Sequence, residues 1–240
     1  MTVSARVFVD VPVLCGHRGS GRGVGENTLP SFRAAVAAGL SWVEVDARVT
    51  ADDVLVASHE PVLPDGRFIA QLPASATGLL RVADLLEDLP PDIGVDVDLK
   101  TSLEDAELSR DRTTAALVAE LVAPHASHRP LLVTSFDPAA LLIVREHAPS
   151  VPLGLLTWIR FPLRKAIPAA AHLGVQVVAP HVESFGLRQD APLPGERPIA
   201  DAVSVAHAAG LQVVAWCPLP IERDVLIEAG VDCLIVDDVA

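Results

Sequence analysis

Hydrophobic and polar positions along the chain follow two alternating rhythms. Short β-branched runs at 11–17, 42–47, 94–99, 131–135, 152–157, 175–180, 212–216 and 233–236 predict strands. Ala/Leu-rich stretches of helical length lie between most of them, at 28–38, 105–123, 137–147, 163–172, 199–209 and 221–229. Several of these stop at a glycine (Gly39, Gly174, Gly210, Gly230), the residue that a helix C-terminus favours. Alternation of this kind implies a parallel sheet covered by helices. Eight strands favour closure, so the expected fold is α/β, a (β/α)8 barrel of the TIM type. Its usual size of roughly 250 residues matches the 240 here, and 1–240 is expected to be one barrel domain.

One run breaks the rhythm. Val54–Ser58 follows the second strand after only a few residues, too few for the crossover that a parallel neighbour needs. It predicts a hairpin return or ordered loop beyond that strand, which brings His59 to the barrel mouth. The stretch 184–198, with three prolines and mixed charge, predicts a loop over one face.

Two strands carry charge where a buried parallel strand is ordinarily apolar throughout. In 42–49, Glu44 and Asp46 alternate with Val43 and Val45; in 94–100, Asp96, Asp98 and Lys100 alternate with Val95, Val97 and Leu99. Side chains two apart share a strand face, so the valines pack on the helices and the charges point into the barrel. Buried carboxylates are costly unless paired or bound to metal. Two readings follow: a hard-oxygen site for Mg²⁺ or Ca²⁺, or a salt-bridge network with Lys100, Arg48 or Arg18.

The first strand delivers His17 and Arg18 to its C-terminal end, ahead of a glycine-rich turn. Barrel active sites occupy that end. The glycines match neither dinucleotide-binding nor P-loop spacing, although free backbone N–H groups beside Arg18 can cradle a phosphate. Two histidines flanking a metal suit phosphodiester cleavage, one taking a proton from the attacking oxygen and the other giving one to the leaving alkoxide.

Charge and cysteine usage narrow the partners. The formal net charge of -13 disfavours nucleic acid and anionic membrane, and an anionic substrate then needs a local positive site. Cys15, Cys217 and Cys233 are too few and too scattered for a disulfide framework, and are expected to be strand-borne apolar residues in a reducing compartment. No leader pattern or membrane-length apolar run is evident, which makes the cytoplasm the expected location and excludes stable membrane insertion.

The ordered strings HRG…ENTLPSF (17–32), WVEVDARVTADDVLVASHE (42–60), VDLK (97–100), GLQVVAWCP (210–218) and GVDCLIVDD (230–238) resemble the signature of the glycerophosphodiester phosphodiesterases, within the phospholipase C-like phosphodiesterase superfamily. The resemblance runs over essentially the whole chain and implies hydrolysis of a small-molecule glycerophosphodiester to glycerol 3-phosphate and an alcohol. It implies His17 and His59 as the acid–base pair, and Glu44, Asp46 and Asp98 as ligands of one divalent metal ion, Mg²⁺ or Ca²⁺. Arg18 and Lys100 would hold phosphate oxygens, Glu26 and Asn27 would support the site, and Trp216 would line the pocket. Against the family pattern, Asp98 stands in place of Glu and Glu60 in place of Asp. The segment between His59 and Asp98 is short, and Cys217-Pro218-Leu219 replaces the usual Thr-Val-Asn.

Three other functions stay open from sequence alone. One is a lysophospholipase D-like enzyme, suggested by the short insert and by Trp158 and Phe161 near a strand end. The others are a non-catalytic barrel binding a phosphorylated metabolite, and a metal-dependent lyase or aldolase. Oligomeric state leaves no trace in the sequence.

Overall fold

The computed structural model describes residues 6–20, 25–188, 195 and 197–238. Among these residues nine strands form one sheet: β1 (Val13–Gly16), β2 (Trp42–Val49), β3 (Leu55–Ala57), β4 (Gly94–Leu99), β5 (Leu131–Ser135), β6 (Leu153–Thr157), β7 (Val177–Pro180), β8 (Gln212–Trp216) and β9 (Cys233–Val236). Eight of them are parallel and close through β1–β2 and β1–β9 pairing into a barrel, the expected (β/α)8 architecture. The ninth, β3, folds back antiparallel on β2 with Ala57 opposite Ala47, as the short connection requires. Among the described residues seven α-helices surround the barrel: α1 (Leu29–Ala37), α2 (Val82–Asp88), α3 (Thr114–Val122), α4 (Pro138–His147), α5 (Leu163–Leu173), α6 (Ile199–Ala208) and α7 (Pro220–Glu228).

Local chemistry sets the helix ends. Thr28 accepts from Ser31 N at the start of α1, and Asp137 accepts from Ala139 N at the start of α4. Gly174 ends α5 in the left-handed region, where a Cβ would be strained. The stretch expected as one helix over 105–123 is helical in its main part only from Thr114. Asp105 takes the N–H and hydroxyl of Thr114, and short 3₁₀ turns precede the Thr113 cap. The charged segment before Thr113 has no apolar stripe to bury, so nothing extends the helix backwards. Helix α2 was not expected, although Val82, Leu85 and Leu86 are buried at helical spacing. Strand ends at 11–17 and 175–180 shrink to Val13–Gly16 and Val177–Pro180. The loop expected over 184–198 begins within a 3₁₀ turn, Val182–Phe185, and 189–194 and 196 lie outside the described residues, as do 21–24 of the glycine-rich turn.

Two cores result from the strand alternation. Outward-facing Val43, Val45, Val95, Val97 and Val133 pack against the helices. Inward-facing Val13, Cys15, Trp42, Leu132, Val177 and Cys233 fill the lower barrel. Phe8 closes its floor, with its ring centroid 4.9 Å from that of Trp42, and the Gln212 side chain accepts from Val7 N and Phe8 N to hold the plug. Water is thereby excluded beneath the charged layer.

Gly94 is required by this packing, because a Cβ there would lie 2.3 Å from the Trp42 ring. Gly94→Ala is expected to cost about 1–3 kcal/mol through overpacking. A guanidinium unfolding midpoint equal to that of the natural protein would contradict the tight floor.

Candidate active site

The charged strand faces meet above the floor. β2 and β4 pair in register, so Glu44 lies beside Asp96 and, two residues on, Asp46 lies beside Asp98. All four carboxylates are buried and inward-facing. One oxygen each of Glu44, Asp46 and Asp98 falls within 4.8 Å of the others. Thr134 on β5 donates to Asp96 at 2.9 Å, which ties the fourth acid to the barrel wall and away from the trio.

Both sequence readings of these charges have a physical basis here. Lys100 Nζ lies 2.9 Å from Asp46 and bonds Asp98 as well. Arg18 Nε lies 3.0 Å from Asp46 Oδ2, and its Nη1 donates to Glu26 at 2.8 Å. Among the described residues Arg48 makes no ion pair with them: it lines the same pocket, and its guanidinium donates to the His59 carbonyl. Two cations thus face three clustered carboxylates, and the balance is uneven. Asp46, between Lys100, Arg18 and the Asn27 amide, has its pKa lowered in spite of its burial. Burial, then repulsion from Asp46 and Asp98, raises Glu44 well above the usual carboxylate range. Burial raises Asp98 too, with Lys100 opposing.

Glu44 Oε1 and Asp98 Oδ1 are fully buried and accept no hydrogen bond. A buried unpartnered carboxylate oxygen costs several kcal/mol unless a cation reaches it. The trio therefore fits a hard divalent ion, and Asp98 converges with Glu44 and Asp46 in spite of being one methylene shorter than Glu.

The histidines occupy different settings. His17 continues the β1–β9 ladder, with its N–H bonded to Val236 O. Its Nδ1 lies 2.5 Å from Asp237 Oδ1, and its Nε2 lies 3.9 Å from Glu44 Oε2. With Nδ1–H donating to the carboxylate, Nε2 is left as the acceptor on the side of the acids. His59 rides on the β3 return, where Ser58 N bonds Asp46 O and Arg48 clamps the His59 carbonyl. Its side chain is 44% exposed, and Nδ1 pairs with Glu60 at 2.9 Å.

Support comes from strained backbone. Arg18 and Asn27 both have positive φ, 54° and 57°. Asn27 N bonds Arg18 O, and Asn27 Nδ2 donates to Asp46 at 2.8 Å. A side chain at Gly19 would strike Ser31, whose hydroxyl donates to Arg18 O. Such conformations cost about 1–3 kcal/mol each and persist where surrounding contacts hold them.

A cavity of about 500 Å³ opens over these groups and is lined by His17, Arg18, Glu44, His59, Asp98 and Lys100 below an aromatic rim. Trp216 is held by Nε1 to Ala179 O, and its ring stands edge-on to His181 at 4.3 Å. Trp158, 66% exposed, stacks on Phe136 at 4.3 Å. Phe161 instead packs against the helix-side core. Sequence reasoning missed Asp237, Phe136 and the setting of Cys217. Cys217 is not strand-borne: it follows β8 with φ 58°, beside His17. Asp237 directly follows β9, the strand that pairs with the first, which is the signal that could have found it.

Fold and pocket together define a barrel enzyme whose histidines and buried acids meet at the C-terminal strand ends. The sequence profile of the glycerophosphoryl diester phosphodiesterase family matches residues 17–72 and 70–240. The chain belongs to that family and is a phosphoric diester hydrolase. No curated protein matches it. Among solved structures, a candidate glycerophosphoryl diester phosphodiesterase from Silicibacter pomeroyi DSS-3 superposes with TM-score 0.80 at 23% identity, over 97% of this chain and 92% of that one. The glycerophosphodiester phosphodiesterase of Thermotoga maritima gives 0.73 at 20%, over 95% of each chain. An Oleispira antarctica phosphodiesterase in complex with its product, sn-glycerol-3-phosphate, gives 0.75 at 24%, over 94% of this chain and 93% of that one. Among the described residues no helix is long and apolar enough to cross a membrane.

The raised acids carry a pH signature. Glu44, Asp96 and Asp98 bind protons more tightly folded than unfolded, so their contribution to stability is complete below the ordinary carboxylate range of about pH 4. It is lost as pH rises through their raised values. A cation held by the trio removes the part of that loss that Glu44 and Asp98 carry. Added Mg²⁺ is therefore expected to raise Tm more at about pH 8 than at about pH 5, with chelated protein as the reference. Equal shifts at both would contradict the uneven charge balance.

Proposed function

We propose that the chain, acting as one barrel over 1–240, hydrolyses glycerophosphodiesters to glycerol 3-phosphate and an alcohol with the help of one divalent cation, Mg²⁺ or Ca²⁺. The observation that carries this reading is the buried trio of Glu44, Asp46 and Asp98, with two unpartnered oxygens beneath a histidine-bearing pocket. Those three residues would hold the cation, which when bound neutralises charge developing on the phosphoryl oxygens. The glycerol 3-phosphate bound to the Oleispira antarctica protein supports the product class.

The side chains divide the remaining work. Lys100 and Arg18, the two cations paired with the carboxylates of the pocket floor, bind phosphate oxygens. Glu26 holds the Arg18 guanidinium, and Asn27 holds Asp46. His17, kept in one tautomer by Asp237, accepts at Nε2 the proton of the attacking hydroxyl, from water or from the neighbouring glycerol hydroxyl. His59, more exposed and nearer the mouth, gives a proton to the departing alkoxide. Trp216 forms the wall against which the glycerol or alcohol part rests. A cytoplasmic setting suits the three free cysteines.

A second reading has its own observation. Trp158 and Ile159, 66% and 56% exposed, form an apolar rim beside the charged pocket. A rim of that kind suits an acyl-bearing leaving group and hence a lysophospholipid.

Turnover of glycerophosphocholine and lysophosphatidylcholine under Mg²⁺ and Ca²⁺ separates the two readings, and hydrolysis of the lysolipid alone would overturn the first. Replacing His17 or His59 by Ala is expected to lower turnover by about 10²–10⁴ with the fold intact by circular dichroism. Unchanged rates would remove that residue from proton transfer. Asp237→Asn is expected to lower kcat with KM little altered, because it disturbs the imidazole tautomer and not substrate binding; a change confined to KM would contradict the assignment.

A further inference from the structure

Next to the acidic trio lies a second donor cluster of different chemistry. His17 Nδ1, Cys217 Sγ and Asp237 Oδ1 lie within 4.8 Å of one another; all three residues are partly exposed, and His17 and Cys217 line the pocket. Strand β9 holds all three: His17 N bonds Val236 O, Cys217 N bonds Ile235 O, and Asp237 is the residue that follows. Nitrogen, sulfur and carboxylate oxygen form a zinc-type donor set, unsuited to Mg²⁺ or Ca²⁺.

The spacing is close to that of a tetrahedral site. With zinc-to-donor lengths of about 2.0–2.3 Å, tetrahedral geometry puts sulfur about 3.6 Å from nitrogen or oxygen, and nitrogen about 3.3 Å from oxygen. Cys217 Sγ lies 3.6 Å from His17 Nδ1 and 3.7 Å from Asp237 Oδ1, so two edges are already in place. The third, between Nδ1 and Oδ1, is 2.5 Å and must open by less than an ångström. Positive φ at Cys217 turns its thiol to this position.

We propose that His17, Cys217 and Asp237 form a second metal site that takes Zn²⁺ and switches the hydrolase off. The switching part rests on the reading of His17 as the proton acceptor. On binding, the thiol proton leaves to solvent, and the imidazole proton passes from Nδ1 to Nε2 as Nδ1 becomes a ligand. Nε2 then carries a hydrogen and cannot take one from the attacking hydroxyl. Burial, then the Asp237 charge, pushes the Cys217 thiol up to about 12, and a cation between them reverses the second effect and supports the thiolate.

Co²⁺, a spectroscopic substitute for Zn²⁺, tests the site on the full chain with Mg²⁺ saturating. Cys15 and Cys233 are sealed in the barrel, 1% exposed each, so a thiolate-to-cobalt absorption band reports Cys217. The band is expected at one equivalent, displaced by Zn²⁺, and absent from both Cys217→Thr and Cys217→Ser. No band, or the same band in the variants, overturns the site. In parallel, Zn²⁺ is expected to slow glycerophosphocholine hydrolysis at least tenfold, with the ratio of rates with and without Zn²⁺ returning near one in Cys217→Thr. Equal inhibition of both proteins would place zinc on the acidic trio and overturn the switch. If the protein hydrolyses no phosphodiester, the cobalt band still decides the site, so the two failures are distinguishable.

Discussion

Charged side chains that point into a barrel must be neutralised from within it, because the surrounding wall offers no water. Glu44, Asp46, Asp96 and Asp98 are inward-facing by the plain two-residue alternation of β2 and β4, and much of the upper barrel follows from that placement. Thr134 takes up Asp96, Asn27 and Arg18 gather on Asp46, and Lys100 spans Asp46 and Asp98. Glu44 Oε1 and Asp98 Oδ1 are left over. The lower barrel answers the same constraint from beneath: Phe8, Trp42 and their neighbours close it, so the acids open only towards the pocket.

Strained backbone sits where this charged layer meets the loops. Arg18, Asn27 and Cys217 all have positive φ, and each is tied by a backbone bond to a neighbouring strand end or loop. Strain of this sort needs surrounding contacts that outweigh it. Here the hydrogen bonds between Arg18 and Asn27, and from Cys217 to β9, supply them. The result is a fixed set of donors and acceptors, and His17 is oriented by Asp237 from the adjacent strand that closes the ring.

Much of this could be read in the sequence, for a physical reason. Period-two charge in strands 42–49 and 94–100 has few stable interpretations, and it identified Glu44, Asp46 and Asp98 as inward-facing before any fold was known. The shortness of the link to 54–58 alone required an antiparallel return, and β3 is that return. What escaped was long-range. Asp237 meets His17 across 220 residues of chain, and no local pattern encodes that pairing. Cys217 looked like a strand residue because it directly follows one, whereas a left-handed backbone turns it to the histidine. The short helix α2 escaped because its helical apolar spacing runs for only about two turns, and the late start of α3 because the Thr113 cap and Asp105 side-chain bonds set it.

The central claim is that Glu44, Asp46 and Asp98 share one divalent cation. Anomalous diffraction from a crystal soaked in Mn²⁺ tests it most directly. A single peak within coordination distance of all three carboxylates, with Lys100 drawn away from Asp98, is the expected result. A crystal in which Mn²⁺ binds elsewhere while Lys100 still bridges Asp46 and Asp98 would contradict it.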